Sequence, residues 1–245
     1  MKKVFVFALF MLLGGAFALA QTAEEIIAKH IEATGGDNWK NVEAVRMEAN
    51  ISAEAAPGMA IGWTLIAVRD KAARMEVSVM GMSQVMAVKG EQGWSNNPFM
   101  GSTDPEPMTA DQTQSLMEQT DIDGTLIGYK EKGYKVEYVG KEDVEGTEAY
   151  KIKVSKGDKK TEYSYFDPKT FYEIKNIRVE EVDGQEVESV TLYSNFKKVN
   201  GIVVPHTMNQ GSPMMGNTIV NITKVEFNPT IDMKIFDMPN TSKKK

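Results

Sequence analysis

The chain has 245 residues, with 34 acidic and 28 basic side chains, a formal net charge of −6 and no cysteine. The negative charge argues against a nucleic-acid-binding protein, which needs a basic surface to displace counterions. Without cysteine the chain cannot form a disulfide framework, a zinc–thiolate site, an iron–sulfur cluster or a thiol nucleophile. Its apolar fraction of 42% and charged fraction of 25% are those of an ordinary globular protein.

The first twenty residues have the pattern of a secretory signal peptide. Lys2 and Lys3 precede an apolar run from Val4 to Leu13, and Ala18-Leu19-Ala20 has the form of a cleavage site. The run is short for a membrane span, and there is no cysteine to carry a lipid anchor. We therefore expect a signal peptide over residues 1–20, cleaved after Ala20. We expect the mature chain to be a single exported domain over residues 21–245, with a net charge of −8.

The mature chain begins with a helix signal and continues as a series of strands. Thr22 to Glu25 form a capping box, and Gly35-Gly36 is a stop signal. Alternating apolar and polar residues then predict about ten strands joined by short turns, so the expected fold is a mainly β antiparallel meander with one face in water. The predicted strands cover residues 42–52, 63–68, 74–80, 83–88, 134–138, 150–154, 161–166, 173–182, 187–196, 202–205 and 218–227.

The segment between residues 94 and 134 interrupts the strand pattern. A second capping box at residues 109–112 predicts a helix over about residues 110–122, with another turn near residues 126–129. A weakly anchored helix inserted in a meander suits either a movable lid over one face of the sheet or an ordinary surface helix, and the pattern leaves both open. Its few apolar positions are Leu116, Met117 and Ile122.

Motifs for catalysis or metal binding are missing from the sequence. His30 and His206 are the only histidines, and neither has a motif partner. There is no nucleophile elbow, H-E-x-x-H motif, P-loop or dinucleotide-binding motif. Neighbouring carboxylates such as Glu180-Glu181 would point to opposite faces of a strand. We therefore predict no catalytic residue, no metal and no cofactor, in a protein that is not an enzyme.

Methionine is unusually frequent, with 16 residues in the whole chain. Three interpretations are open: ordinary core packing, a plastic apolar ligand cavity, or a thioether site for Cu(I). The copper interpretation is the weakest, because Met80-Gly81-Met82 is typical of a hairpin turn and no histidine lies nearby. The clusters are Met75, Met80, Met82 and Met86, then Met100 and Met108, and finally Met208, Met214 and Met215.

Several motifs resemble the LolA-type outer-membrane lipoprotein-sorting family. These are the strand end Val68-Arg69-Asp70, the next strand Arg74-Met75-Glu76-Val77, the segment from Gly90 to Phe99 with the helix after it, and the hairpins from Tyr134 to Asp167. The resemblance implies an incomplete, strongly curved antiparallel half-barrel. A helical lid would cover a hydrophobic cavity for acyl chains.

The resemblance also implies a role for Arg69. In the family, an arginine at this strand end tethers the lid by hydrogen bonds. Proline usually follows that arginine, whereas Asp70 stands here and could compete with the lid for Arg69. If Arg69 points inward, strand alternation places Trp63, Leu65 and Ala67 on the cavity side, and a one-residue slip would reverse that assignment. The expected cavity residues are Trp63, Leu65, Ala67, Val77, Val79, Met86, Val88, Trp94 and Phe99, with Leu116, Met117 and Ile122 on the lid.

The resulting functional expectation is a periplasmic carrier that binds the acyl chains of lipoproteins, or of a related lipid, and moves them towards the outer membrane. Its expected partners are the acylated lipoprotein or lipid, an inner-membrane donor protein and an outer-membrane acceptor protein, and not a nucleic acid. Two alternatives stay open at this point. One is a lipid-sensing regulatory module of the same fold with a membrane protein as partner, and the other is a methionine-based Cu(I) carrier.

Overall fold

The computed structural model describes residues 22–157, 160–182, 185–212 and 216–240. The expected signal peptide, the turn signal Asp183-Gly184 and the methionines Met214 and Met215 lie outside the described residues. Within these ranges, no helix has the length and apolar character needed to span a bilayer.

Thirteen strands in the described ranges form one curved, unclosed antiparallel sheet, which confirms the mainly β prediction. The two helices are α1 (Ala23–Thr34) and α2 (Ala110–Met117), with short 3-10 turns at Gly36–Asn41, Pro98–Met100, Glu118–Thr120 and Met233–Phe236. The strands are β1 (Ala44–Ala53), β2 (Ile61–Val68), β3 (Ala72–Val79), β4 (Met82–Lys89), β5 (Gln92–Asn97), β6 (Ser102–Pro107), β7 (Lys135–Val144), β8 (Thr147–Ser155), β9 (Lys160–Phe166), β10 (Glu173–Val182), β11 (Gln185–Val199), β12 (Ile202–Ser212) and β13 (Gly216–Phe227).

The strand order explains why a lid exists. The sheet runs β6-β5-β4-β3-β2-β1-β13-β12-β11-β10-β9-β8-β7, so β1 pairs with β13 in the middle and β6 and β7 are the two edges. Because β6 and β7 follow each other along the chain, the connection over residues 108–134 must pass from one edge of the curved sheet to the other. We call this connection the lid, and the face of the sheet that it covers the inner face.

Two strands within the segment that interrupted the alternating pattern were not predicted. β5 and β6 form one edge of the sheet, although β6 contains Pro105 and Pro107. Proline is tolerated there because an edge strand leaves one side of its backbone without a strand partner.

Two-residue turns fix the register of the hairpins. Met80 and Gly81 have φ values of 50° and 81°, which are the left-handed conformations that a type I′ turn requires. This turn pairs Val79 with Met82 and Met75 with Met86. The register therefore places every second residue of β3 and β4 on the inner face.

Helix α1 fills one half of the inner face. Its capping box is present, with Thr22 Oγ1 accepting from the Glu25 N–H at 3.2 Å. Ile26 and Ile27 are buried and belong to one cluster with Ile152, Val154 and Phe166 of β8 and β9. Each buried isoleucine contributes about 1.5–3 kcal/mol of transfer free energy. The other half of the inner face, built by β1–β4 and β13, is left for the lid to cover.

Candidate ligand cavity and lid

A cavity of about 680 Å³ lies between the lid and the inner face of the sheet. This volume is within the range of roughly 300–1,000 Å³ typical of small-molecule sites. One side, the apolar wall, is formed by Val45, Met47, Leu65, Ile222, Val225 and Phe227. The opposite side, the polar wall, carries Lys160, Glu162, Arg178 and Glu180 from β9 and β10. The cavity is therefore amphipathic, with apolar and charged side chains on different strands.

Strand pairing explains which predicted residues share the inner face. Leu65 is opposite Met47 of β1 and Met75 of β3, and the same alternation continues through both neighbouring strands. Leu65 itself lines the cavity, and Met86 and Val88 pack beneath α2. Whether these side chains contact a ligand stays a prediction. The predicted cavity residues found on this face are Trp63, Leu65, Ala67, Val77, Val79, Met86 and Val88.

Trp94 and Phe99 have other positions, which corrects their expected place in the cavity. Trp94 pairs with Ala87 and packs beside it and Val85 on the outer face, where its Nε1–H donates to the Phe236 carbonyl at 2.9 Å. The sequence did not define the register of β5, and a shift of one residue moves a side chain to the other face. Phe99 lies in the turn between β5 and β6 and is 39% exposed.

Methionines surround the contact between helix α2 and the sheet. Leu116 is buried against Ala73 and Val88, and four partly buried methionines surround that cluster. Methionine side chains are unbranched and polarizable, so a contact built from them can repack when the helix shifts. In the structure, the methionines that pack around this contact are Met75, Met86, Met108 and Met117.

The helix in the lid is shorter than predicted. Its capping box is present, with Thr109 Oγ1 accepting from the Gln112 N–H at 3.3 Å. The helix ends at Met117, followed by the 3-10 turn Glu118–Thr120 and further turns. The sequence Asp121-Ile122-Asp123-Gly124 favours turns, because aspartate and glycine stabilise non-helical backbone. Ile122 still lines the cavity from this irregular part of the lid.

Arg69, at the end of β2, connects the sheet to the lid. Its Nη1 and Nη2 donate to both carboxylate oxygens of Asp123, at 2.5 and 2.9 Å. Nε donates to the Val42 carbonyl at 2.8 Å, and Nη2 also donates to the Trp39 carbonyl at 3.1 Å. The hydrogen bond with Asp123 raises the pKa of Arg69 further above its usual value. The guanidinium is thus bonded to Asp123 of the lid and not to the neighbouring Asp70, which was expected to compete.

Polar contacts also hold the lid at the polar wall. Thr125 Oγ1 donates to Glu162 at 2.7 Å, and Lys160 Nζ donates to Glu118 at 2.9 Å. A partly exposed ion pair such as Lys160–Glu118 contributes about 0–1 kcal/mol. The lid is therefore attached to the sheet at both walls of the cavity.

A smaller hollow of about 270 Å³, the polar annex, adjoins the cavity and shares Trp39, Thr125, Glu162 and Arg178 with it. Burial raises the pKa values of Glu173 and Tyr193 and lowers that of His30, whose Nδ1 lies 2.8 Å from the Phe171 carbonyl oxygen. No sequence motif links these residues, because they come from α1, β10 and β11.

Across the described ranges, no group of three or more histidine, cysteine, aspartate or glutamate side chains is placed to hold a metal ion. Met80, considered for Cu(I), is 84% exposed at a hairpin turn. The candidate site therefore consists of an apolar wall, a polar wall and the lid, which is bonded to Arg69.

No protein-family model and no curated protein matches the sequence, whereas solved structures match over most of the chain. A LolA superfamily protein from Nitrosomonas europaea is 13% identical with a TM-score of 0.58, covering 89% of this chain and 98% of its own. A DUF1329 family protein from Desulfovibrio piger is 11% identical with a TM-score of 0.58 and the same two coverages.

A putative outer membrane lipoprotein-sorting protein domain from Vibrio parahaemolyticus is 12% identical with a TM-score of 0.56, covering 87% of this chain and 95% of its own. At this level of identity, the match establishes the fold. The resemblance seen in the sequence is confirmed at that level. The chain therefore has the LolA-like fold, in which a curved, unclosed antiparallel sheet is accompanied by a helical lid.

Proposed function

We propose that this protein is a carrier that binds the acyl chains of lipoproteins, or of a related lipid, between its lid and its apolar wall. The observation that carries the proposal is the cavity of about 680 Å³, with Val45, Met47 and Leu65 on one side and Ile122 of the lid above them. The carrier would work in the periplasm and pass its cargo from an inner-membrane donor to an outer-membrane acceptor. In this proposal the protein has no catalytic role.

The energetics of an acyl chain favour an openable cavity. Burying a 16-carbon chain gains on the order of 12 kcal/mol, at about 0.8 kcal/mol per methylene. A fully enclosed cavity would hold the cargo too tightly for rapid transfer. A lid attached by Arg69 and a few partly exposed ion pairs can close over the chain and still open again.

The proposed contacts divide between wall and lid. Leu116 and Met117 of α2 would move with the lid when the cargo enters, and Met75 and Met86 of the sheet would repack beneath them. Arg69 would stabilise the closed state through Asp123. The proposed lining of the inner face consists of Trp63, Leu65, Ala67, Val77, Val79, Met86 and Val88, together with the apolar wall.

The direct test is native mass spectrometry of the mature protein, purified gently from its own periplasm and then extracted with organic solvent. Bound phospholipid or acylated peptide is the expected result, and its mass identifies the cargo. A clean mass without cargo, combined with failure to bind added palmitoyl lipids, would contradict the proposal and favour a protein-binding module.

A matched pair of variants locates the cargo. Met47 and Ile66 are half-buried apolar residues on the neighbouring strands β1 and β2, and they face the inner and outer sides of the sheet. Met47→Asp should abolish acyl-chain binding because it places a charge in the apolar wall. Ile66→Asp should leave binding unchanged. Equal effects of the two substitutions would contradict the proposed cavity.

A further inference from the structure

The junction between the cavity and the polar annex contains a cation that is only partly neutralised. Arg178 of β10 lines both spaces, and its side chain is 56% exposed. Among the described residues, its ion-pair partner is Glu162, 3.2 Å from Nε. The outer edge of the guanidinium, formed by Nη1 and Nη2, remains available to a ligand.

Glu162 does not cancel the charge of Arg178 by itself. Its carboxylate also accepts from Lys156 Nζ at 2.5 Å, so two cations share one anion. Lys160 lies between Glu118 and Glu180, at 2.9 and 3.7 Å. At the Glu162 carboxylate, positive charge is therefore in local excess, on Arg178 and Lys156.

The annex offers further hydrogen-bonding capacity next to Arg178. Trp39 Nε1 is buried and has no hydrogen-bond partner within the described part of the chain, and Trp39 lines both spaces. An unpaired buried donor costs about 1–3 kcal/mol, and a ligand oxygen would recover that cost. Burial raises the pKa of Glu173, whose carboxyl group also lines the annex.

We propose that Arg178 is the head-group site of the cavity, binding the oxyanion of an amphiphile whose acyl chain lies along the apolar wall. The inference rests on the proposed function and adds the chemistry of the cargo's head. A guanidinium edge binds two oxygens of a planar carboxylate or a phosphodiester at once. Trp39 Nε1 donates a further hydrogen bond to the same head. Thr125 and Glu162 attach the lid beside this head, so a bound head also stabilises the closed lid.

The experiment measures binding of three ligands that carry the same palmitoyl chain. They are palmitate, with a carboxylate, palmitoyl-lysophosphatidylcholine, with a phosphodiester, and monopalmitoylglycerol, with an uncharged head. Arg178→Gln should weaken binding of palmitate, of palmitoyl-lysophosphatidylcholine or of both by about ten- to hundredfold, because a hydrogen bond to a charged oxygen is lost. Binding of monopalmitoylglycerol should stay unchanged. The ligand that loses affinity identifies the source of the oxyanion.

Arg46→Gln is the matched control. Arg46 is also a strand arginine beside a carboxylate, 3.0 Å from Glu48, with 44% exposure, but it lines the hollow on the outer face. The Arg46→Gln substitution should leave the affinities for all three ligands unchanged. Arg178→Lys, which keeps the charge without the planar edge, should give an intermediate loss. The melting temperatures of the variants check that each is folded.

Three outcomes contradict the head-group site in distinguishable ways. If Arg178→Gln weakens the binding of all three ligands equally, Arg178 stabilises the cavity and does not bind the head group. If it weakens none, the oxyanion binds elsewhere. If the wild-type protein binds none of the three, the proposed carrier function fails, and the head-group site fails with it.

Discussion

The Arg69 guanidinium and the Asp123 carboxylate form a two-pronged ion pair, 2.5 and 2.9 Å long, between the end of β2 and the lid. Both side chains are about one-fifth exposed. The same guanidinium holds the carbonyls of Val42 and Trp39. Arg69 therefore bonds both to the chain before β1 and to the lid, whereas the Asp123 carboxylate bonds to Arg69.

This difference predicts different effects for the two partners. Asp123→Asn should destabilise the protein by about 1 kcal/mol and increase hydrogen exchange in residues 118–127, because a charge-assisted pair is lost. Arg69→Ala should cost more, about 2–3 kcal/mol, and should also increase exchange in residues 39–43. Hydrogen exchange with mass detection measures both regions.

Asp70→Asn serves as the control for the lid tether. Asp70 is next to Arg69 in the chain, but its backbone N–H contacts the Thr120 carbonyl at 3.4 Å. Its side-chain substitution should leave exchange of the lid unchanged. Faster exchange in Asp70→Asn than in Asp123→Asn would contradict the assignment of Asp123 as the tether.

Gly93 allows α2 to approach β5. A Cβ at this position would lie 2.5 Å from Thr113 Oγ1 and 3.3 Å from Met108 Cβ. Gly93→Ala should therefore displace α2 and cost about 1–3 kcal/mol, as overpacking of a close contact does. Thr113→Ala in the same chain should restore part of the loss. Thermal unfolding and lid exchange are the measurements.

Gly62→Ala is the matched control for Gly93. Gly62 also lies in a strand, and its added Cβ would meet Ser78 Cβ at 3.7 Å, an ordinary contact distance. This substitution should change the melting temperature little. If both alanines destabilise the protein equally, the approach of α2 to Gly93 is not the cause.

Leu116 and Ile26 are both buried, but they hold different parts of the molecule. Leu116→Ala should cost about 2–3 kcal/mol and loosen the lid locally, because the surrounding methionines can repack into part of the space. Ile26→Ala should cost about 3–4 kcal/mol and lower global stability, because α1 fills a rigid cluster. Hydrogen exchange distinguishes the two, and faster exchange over the whole sheet in Leu116→Ala would contradict this prediction.

The buried carboxyl group of Glu173 should make the free energy of unfolding depend on pH. Burial raises its pKa in the folded protein above the usual 4.5. Between these two pKa values the folded state binds more protons than the unfolded state, so stability falls as pH rises through that window. Glu173→Gln removes this penalty, and each unit of the pKa difference contributes about 1.4 kcal/mol. The variant should be more stable than the wild type near pH 7, and the difference should shrink towards pH 4.5.

Urea unfolding of both proteins across this pH range checks the Glu173 prediction. Glu131→Gln, which removes an exposed carboxylate of the lid, is the reference substitution. A wild type whose stability relative to Glu173→Gln does not change with pH would show that Glu173 does not titrate differently on folding.

Trp94 tests the assignment of the outer face. Trp94→Phe removes the hydrogen bond to the Phe236 carbonyl and should cost about 1 kcal/mol of stability. Acyl-chain binding should be unaffected, because the side chain faces away from the lid. If Trp94→Phe clearly lost affinity for monopalmitoylglycerol while its fold stayed intact, the assignment of Trp94 to the outer face would be wrong.

The sequence alone determined the features that depend on neighbouring residues. Both capping boxes, at Thr22 and Thr109, begin helices as predicted. The tight turn at Met80-Gly81 fixed the register of β3 and β4, and alternation then placed Met86 and Val88 on one face. These signals are local, because a cap or a two-residue turn is stabilised by groups only a few residues apart.

Tertiary structure decided the features that depend on distant residues. The pairing of Ala49 in β1 with Ile222 in β13 joins the two halves of the sheet, and no local sequence pattern predicts it. The face of Trp94 depended on the register of β5, which the turns around it did not fix. Asp123 became the partner of Arg69, in place of the adjacent Asp70, because the lid must cross from one edge of the sheet to the other and carries its carboxylate past the end of β2.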